Sequence, residues 1–320
     1  MGSSHDWVTA FLERAAGGLD LDRVVEDSPG VDADRFTKIL QDDRLGQHAM
    51  EAMTDLFHPT DSMYYDAIFG AFHGQRAIRN WLVPAMRDIS FIEFKTTAPT
   101  EIFERNGGTS SIDEWQMWIN LGEESIPFPR GVSTRHSSDG WALWNADIYD
   151  SSPMRQPPPS PEDAQPMPDP PRIQWTTEAM VAPPTSDALQ AWLDRPATDR
   201  GPLDHADLNT VMLTPALRRD PSIVGSLFHA ADSELFEPTA HHVGPEAIRQ
   251  HLDDAHARSG DLTFERVGPA LFNGSCTAFE WVARPVGDPS PGLRGTSVYR
   301  YRDGFIVYGA EYYDTAATGS

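Results

Sequence analysis

Phe57-His58-Pro59-Thr60-Asp61-Ser62-Met63-Tyr64-Tyr65-Asp66, followed by Gly74-Gln75-Arg76-Ala77-Ile78-Arg79-Asn80-Trp81-Leu82, is written twice in this chain. It returns as Phe228-His229-Ala230-Ala231-Asp232-Ser233-Glu234-Leu235-Phe236-Glu237 and then Gly244-Pro245-Glu246-Ala247-Ile248-Arg249-Gln250-His251-Leu252. Each copy ends an apolar run on an acid, passes a short loop and a glycine, and enters an amphipathic helix. A second pair follows. Arg130-Gly131-Val132-Ser133 leads to Asp139-Gly140 and Asp147-Ile148-Tyr149-Asp150, as Arg294-Gly295-Thr296-Ser297 leads to Asp303-Gly304 and Glu311-Tyr312-Tyr313-Asp314. The first pair is offset by 171 residues and the second by 164, so few residues are gained or lost within a copy. That spacing is a domain rather than a solenoid repeat of about 20–50 residues. The chain therefore reads as a first domain at 1–152, a linker at 153–172 and a second domain at 173–320.

Working outward, Asp6 to Arg14 carries apolar residues at helical spacing, and Asp187 to Arg195 echoes it. Between Asp32 and Phe57, the residues Phe36, Ile39, Leu40, Leu45, Met50, Met53 and Leu56 predict two short helices with an apolar face. The counterpart, Leu208 to Phe228, is broken at Thr214-Pro215 and Asp220-Pro221, where proline opens a helix but cannot continue one. After the central helix each copy turns to strand signals. In the second they are Leu262–Val267, Thr277–Val282, Gly295–Tyr301 and Phe305–Tyr313, separated by Asn273-Gly274, a Pro/Gly-rich stretch and Asp303-Gly304. In the first they lie around Phe91–Lys95, Ile112–Ile119, Gly131–His136 and Trp141–Tyr149. The expected fold class is α+β, twice over: helices first, then a curved antiparallel sheet that they cover. Pro153 to Pro171 holds nine prolines in nineteen residues, which predicts an extended linker at about 3.1 Å per residue.

Composition bounds the partners. With 39% hydrophobic residues and no apolar run near ~18 residues, a soluble globular chain without a membrane partner is expected. The net charge of −23 argues against nucleic acid and anionic surfaces, which call for clustered basic residues. Met1 to His5 has neither a basic nor an apolar segment, so no signal peptide is expected. The single cysteine, Cys276, fits a cytoplasmic location.

The acid-ended run, "G-x-x-A-I-R" and a closing "Y-x-D" strand resemble the NTF2-like superfamily, in its SnoaL-like and ketosteroid-isomerase-like branch. The residues carrying the likeness are Asp232 to Pro238, Gly244 to Arg249, Arg302 to Ile306 and Glu311 to Asp314, repeated less tidily in the first copy. The resemblance covers about 110–120 residues of each half and implies a cone: a bent sheet around helices, with an apolar pocket at one end. It also implies an intramolecular pseudo-dimer of the two domains, with further homodimerisation left open. The superfamily holds isomerases, cyclases, dehydratases, epoxide hydrolases and binders, so the likeness specifies fold more than reaction.

Four acids stand out. Asp66 and Glu237 fall where the resemblance puts the general base of ketosteroid isomerases, and a carboxylate in an apolar pocket gains basicity through desolvation. The plainer alternative is a loop carboxylate capping backbone amides. Asp147 and Glu311 lie on the final strand, where limonene-epoxide-hydrolase-like and SnoaL-like members keep an acid. Period 2 puts Asp147 with Tyr149, and Glu311 with Tyr313, on one strand face. Glu93 and Glu265 match a position used by tandem epoxide hydrolases of polyether biosynthesis, with exposed glutamates as the alternative. Glu114 and Glu280, each before a tryptophan, could also point inward. His73 and His242 precede the central helix and could sit at a pocket mouth. The Arg-x-Asp strand pair of the limonene epoxide hydrolases is absent, and the ketosteroid-isomerase oxyanion pair is replaced by Leu213 and by Ser133 and Ser297. No cofactor motif or metal spacing is present in the sequence, so none is expected. The reading is cofactor-free acid–base chemistry (isomerisation, cyclisation or dehydration) on a hydrophobic small molecule of polyketide or terpenoid type, in secondary metabolism. Polyether-type epoxide opening is one alternative and a non-catalytic binding or scaffold protein the other; convergence of carboxylates in one closed pocket separates them.

Overall fold

A computed structural model describes residues 4–18, 20–87, 92–105, 107–121, 124–154, 184–259, 262–288 and 292–318. The chain divides into two compact units, Met1–Pro168 and Asp169–Ser320. The proline-rich stretch lies outside the described residues from 155 onward, as do Ile89 and Phe91.

In the first unit α1 (Ser4–Ala15), α2 (Ala33–Leu40) and α3 (Ala49–Thr54) come first. A hairpin of β1 (Met63–Asp66) and β2 (Gly70–His73) follows, then α4 (Gly74–Arg87). The rest is sheet: β3 (Ile92–Thr96), β4 (Glu101–Arg105), β5 (Gly108–Leu121), β6 (Glu124–Ser138) and β7 (Trp141–Tyr149). The strands run in the order β2-β1-β7-β6-β5-β3, with β4 also on β5. Packing at 3.6 spacing explains the helices. Phe11, Phe36, Ile39, Leu45, Leu56, Phe57 and Ile78 are fully enclosed in one cluster, with Leu40, Met50 and Met86 at its margin.

The second unit repeats the order with α5 (Asp187–Leu193), α6 (His205–Leu213), α7 (Pro215–Arg218) and α8 (Pro221–Leu227). After them come β8 (Glu234–Glu237), β9 (Ala240–Val243), α9 (Pro245–Ser259), β10 (Leu262–Phe272), β11 (Cys276–Pro285), β12 (Leu293–Arg302) and β13 (Phe305–Tyr313). Its sheet runs β10-β11-β12-β13-β8-β9. Ser186, Asp204 and Asp220 cap α5, α6 and α8 by accepting from Leu189, Asp207 and Ser222 amides at 2.8–2.9 Å. Pro215 and Pro221 open α7 and α8, where a missing amide hydrogen costs nothing. Each unit is thus a helical layer on a curved, mostly antiparallel sheet.

The short loop expected after the acid-ended run holds a strand of its own, β2 or β9. The acid-ended run is itself a strand, and it pairs parallel with the last strand of its unit: β1 with β7, and β8 with β13. The two Asp-Gly turns match as expected. Asp139 and Gly140 have φ of 53° and 81°, and Asp303 and Gly304 have 54° and 80°, the left-handed pair that a two-residue hairpin turn needs. No helix among the described residues is long and apolar enough to cross a membrane.

Candidate functional site

One row of side chains runs across the inner face of each sheet, set by register alone. In the first unit Asp113 faces Ser133, Ser133 faces Asp147, and Asp147 faces Asp66, on four neighbouring strands. Directly aligned residues share a face, so the two carboxyl groups of β1 and β7 are neighbours. In the second unit Phe279, Ser297 and Glu311 form the same row. Glu237 follows Phe236, whose partner Ala310 precedes Glu311, so the register continues to the acid pair.

The last-strand acid is held identically in both units. Trp115 Nε1 donates to Ser133 Oγ at 2.9 Å, and that hydroxyl donates to Asp147 Oδ1 at 2.6 Å. Trp281 Nε1 donates to Ser297 Oγ at 2.9 Å, and Ser297 to Glu311 Oε2 at 2.6 Å. Glycine makes room for the indole: a Cβ on Gly131 or Gly295 would lie 2.3 Å from the ring of Trp115 or Trp281. The serines at the expected oxyanion position therefore position an acid instead.

Beyond that shared relay the units diverge. In the first, Tyr64 Oη donates to Asp147 in a short hydrogen bond, and Asn145 Nδ2 donates to it at 3.0 Å. Tyr149 Oη donates to both oxygens of Asp66 at 3.1 Å, while the Ile68 and Phe69 amides donate to Asp66 Oδ1 at 2.8 and 3.0 Å. Asp66 is thus an amide cap and a buried neighbour of Asp147 at once. Burial, reinforced by Asp147, pushes its carboxyl up to about 7 against the pull of the two amides and Tyr149. Burial, and then Asp147, raises the Tyr64 phenol well above its ordinary value, so it stays a donor. Arg135 donates to Asp113 in the same face, making this interior polar.

The second unit holds a partly open cavity of about 300 Å³ with a largely apolar wall that includes Leu213, Phe228, Leu252, Phe264 and Trp281. Glu237, Glu311 and Tyr313 line it together. Glu311 is saturated: Arg218 Nη2 donates to Oε1 and Oε2 at 3.0 Å each, Ser297 to Oε2, and Tyr299 Oη to Oε1 in a short bond. Arg218 arrives from α7 and also donates to Ser297 Oγ at 2.7 Å, its guanidinium 4.8 Å from the Phe279 ring centroid. Burial is the largest single influence and opposes its charge, but Glu311 and Tyr299 together outweigh it and hold its pKa above the ordinary arginine value. Glu237 is engaged differently. His251 Nε2 from α9 stands 3.0 Å from its Oε1, at ion-pair distance but without hydrogen-bond alignment. His242 stacks on His251 at 4.0 Å, and its pKa is lowered by burial first and then by His251.

Other expectations are corrected. Glu93 is an exposed surface acid paired with Lys95 at 3.4 Å, whereas Glu265, also exposed and paired with Arg284 at 2.8 Å, lines the cavity as the pocket reading allows. Glu114 and Glu280 are buried on the opposite face from the candidate site, since each precedes the tryptophan that points inward. Glu280 there accepts from the enclosed Arg294. His73 is exposed at the end of β2, and His242 touches His251 rather than the cavity wall. Sequence reasoning missed Arg218 and His251. The second was findable, since Ile248, His251, Leu252 and Ala255 lie on one helical face. Among the described residues no group of three or more His, Cys, Asp or Glu could hold a metal ion.

Residues 216–309 match the family model described as a SnoaL-like domain. Among curated proteins nothing matches. Solved structures that resemble part of the chain include an NTF2-like protein of unknown function from Mesorhizobium loti, 24% identical, covering 30% of this chain and 80% of that one at a TM-score of 0.26. A protein with a ketosteroid isomerase-like fold from Catenulispora acidiphila is 23% identical over 30% of this chain and 75% of its own, at 0.25. An NTF2-like protein from Cytophaga hutchinsonii is 14% identical over 36% and 93%, at 0.28.

Proposed function

We propose that the second unit is a cofactor-independent acid–base catalyst acting on a hydrophobic small molecule, with Glu237 as the general base. The observation that supports it is a largely apolar cavity of about 300 Å³ whose wall carries both Glu237, a carboxylate with acceptor capacity to spare, and the Arg218 guanidinium. Glu311 cannot share that role, because both its oxygens are already filled with donors. In this reading His251 orients Glu237, and Glu311 holds Arg218 where its charge offsets an oxyanion forming on the substrate. Such chemistry suits isomerisation, cyclisation or dehydration of a polyketide- or terpenoid-type carbonyl compound. We infer as well that the first unit is a second copy of the same fold, with Asp66 and Asp147 as its acid pair. Its polar interior and the capping duty of Asp66 favour the second unit as the working site.

The test is α-proton exchange of 2-tetralone in D₂O, followed by NMR. The wild-type chain should accelerate it, and Glu237→Gln should cut the acceleration by about 100-fold or more, the usual weight of a positioned base. Acceleration that survives in Glu237→Gln sinks the assignment. A second reading, water-activated epoxide opening, is favoured by one observation: Arg218 brings from a helix the arginine that the strand lacks. Turnover of cyclohexene oxide in place of exchange would select it.

A further inference from the structure

The charge around the cavity differs from that of the chain. Acidic residues outnumber basic ones 48 to 25 overall, yet the cavity wall holds Arg218, Arg219 and Arg266 against Glu237, Glu265 and Glu311. Each of those glutamates already stands beside a basic side chain, Glu311 by Arg218, Glu265 by Arg284 and Glu237 by His251. The guanidinium of Arg218 is two-sided. Its hydrogen bonds to Ser297 and Glu311 all leave from Nη2, while the side chain keeps 15% of its surface on the cavity wall. A planar fork engaged chiefly through one nitrogen, with the Tyr299 hydroxyl also beside it, keeps donors for a further oxygen. Arg219 is steadied by donating to the Leu262 carbonyl and packs its guanidinium 5.7 Å from the Phe264 ring centroid.

The geometry points to an anionic ligand: an apolar ring or chain bearing a carboxylate, or an equally acidic enol or phenol oxygen, that lies against Phe264 and Trp281 and meets the open edge of Arg218. This deepens the catalytic reading of the same cavity and rests on it. A neutral molecule would leave that charge-bearing edge half desolvated without a partner, whereas an oxyanion replaces the lost water with a charge-assisted hydrogen bond. The fit is to small molecules, since about 300 Å³ is the lower end of ligand pockets.

Calorimetric titration of the full chain with 2-naphthoate against 2-naphthamide, and octanoate against octanamide, reads the preference without turnover. At least one acid should bind about ten-fold or more tightly than its amide, the usual weight of a hydrogen bond to a charged group. Arg218→Met should erase that ratio while keeping the amide's affinity. Should that variant fail to fold, the wild-type ratio and its decline with added salt carry the test. Equal binding of acid and amide, or no binding of either pair, overturns the inference. Glu237→Gln separates the two claims: it should bind the acids at least as well as wild type while losing proton exchange. Exchange lost in that variant with no wild-type acid preference would overturn only the anion inference.

Discussion

A carboxyl group beside a second carboxyl is worth little as a base unless something decides which one keeps the proton. In the first unit burial decides it. Asp66 titrates near 7 against an ordinary value of 3.8, so the folded state holds a proton that the unfolded state has already released between those values. Stability from this group is therefore full below about pH 4 and is lost as pH rises toward 7. Asp66→Asn removes the titrating group but keeps an oxygen for the Ile68 and Phe69 amides. Its stability relative to wild type should climb across that window by on the order of 4 kcal/mol between pH 4 and pH 8 in urea denaturation; a flat difference would refute the assignment. The candidate acids Asp66, Asp147, Glu237 and Glu311 could be singled out because they follow motifs that recur in the sequence and fall at positions that the resemblance marks. Arg218 could not. Nothing local separates it from Arg219, and its importance lies in a contact with Glu311 that only the folded sheet creates.

At the scale of elements, turns and helices were readable and strand pairing less so. Asp-Gly turns and proline-opened helices are local chemistry. The parallel pairing of β1 with β7 and of β8 with β13 joins four-residue segments to strands far along the chain, and no periodicity reports that. The Gly–Trp crossing also hid in plain sight, since a glycine in a strand signals close approach without naming the neighbour. It offers a matched pair of tests. Gly131→Ala and Gly295→Ala each put a methyl 2.3 Å from an indole ring, so each should cost about 1–3 kcal/mol or more in thermal or denaturant unfolding. Gly295→Ala should in addition weaken 2-naphthoate binding, because Trp281 also walls the cavity; Gly131→Ala should not.

At the scale of the whole molecule, the recurring motifs were the strongest message in the sequence, and the difference between the interiors of the two units the message it withheld. Phe279 and Tyr299 in the second unit stand where the first has Asp113 and Arg135, an exchange that turns a polar interior into an apolar one. Hydrogen exchange with 2-naphthoate bound should accordingly show protection confined to elements around residues 212–313, with residues 4–154 unchanged. Protection spread evenly over both units would contradict the difference drawn between them.

The ion pair of Arg218 with Glu311 joins residues 93 positions apart, the first at the end of helix α7 and the second on the final strand of its unit. During synthesis the guanidinium must wait, hydrated, until nearly all of that unit has been made. Enclosing the cation early would strand it without a counter-charge, so the hollow cannot seal before β13 docks. Closure of the second unit is then a late event by construction, and any agent that competes for that arginine acts on the order of assembly as well as on the finished fold.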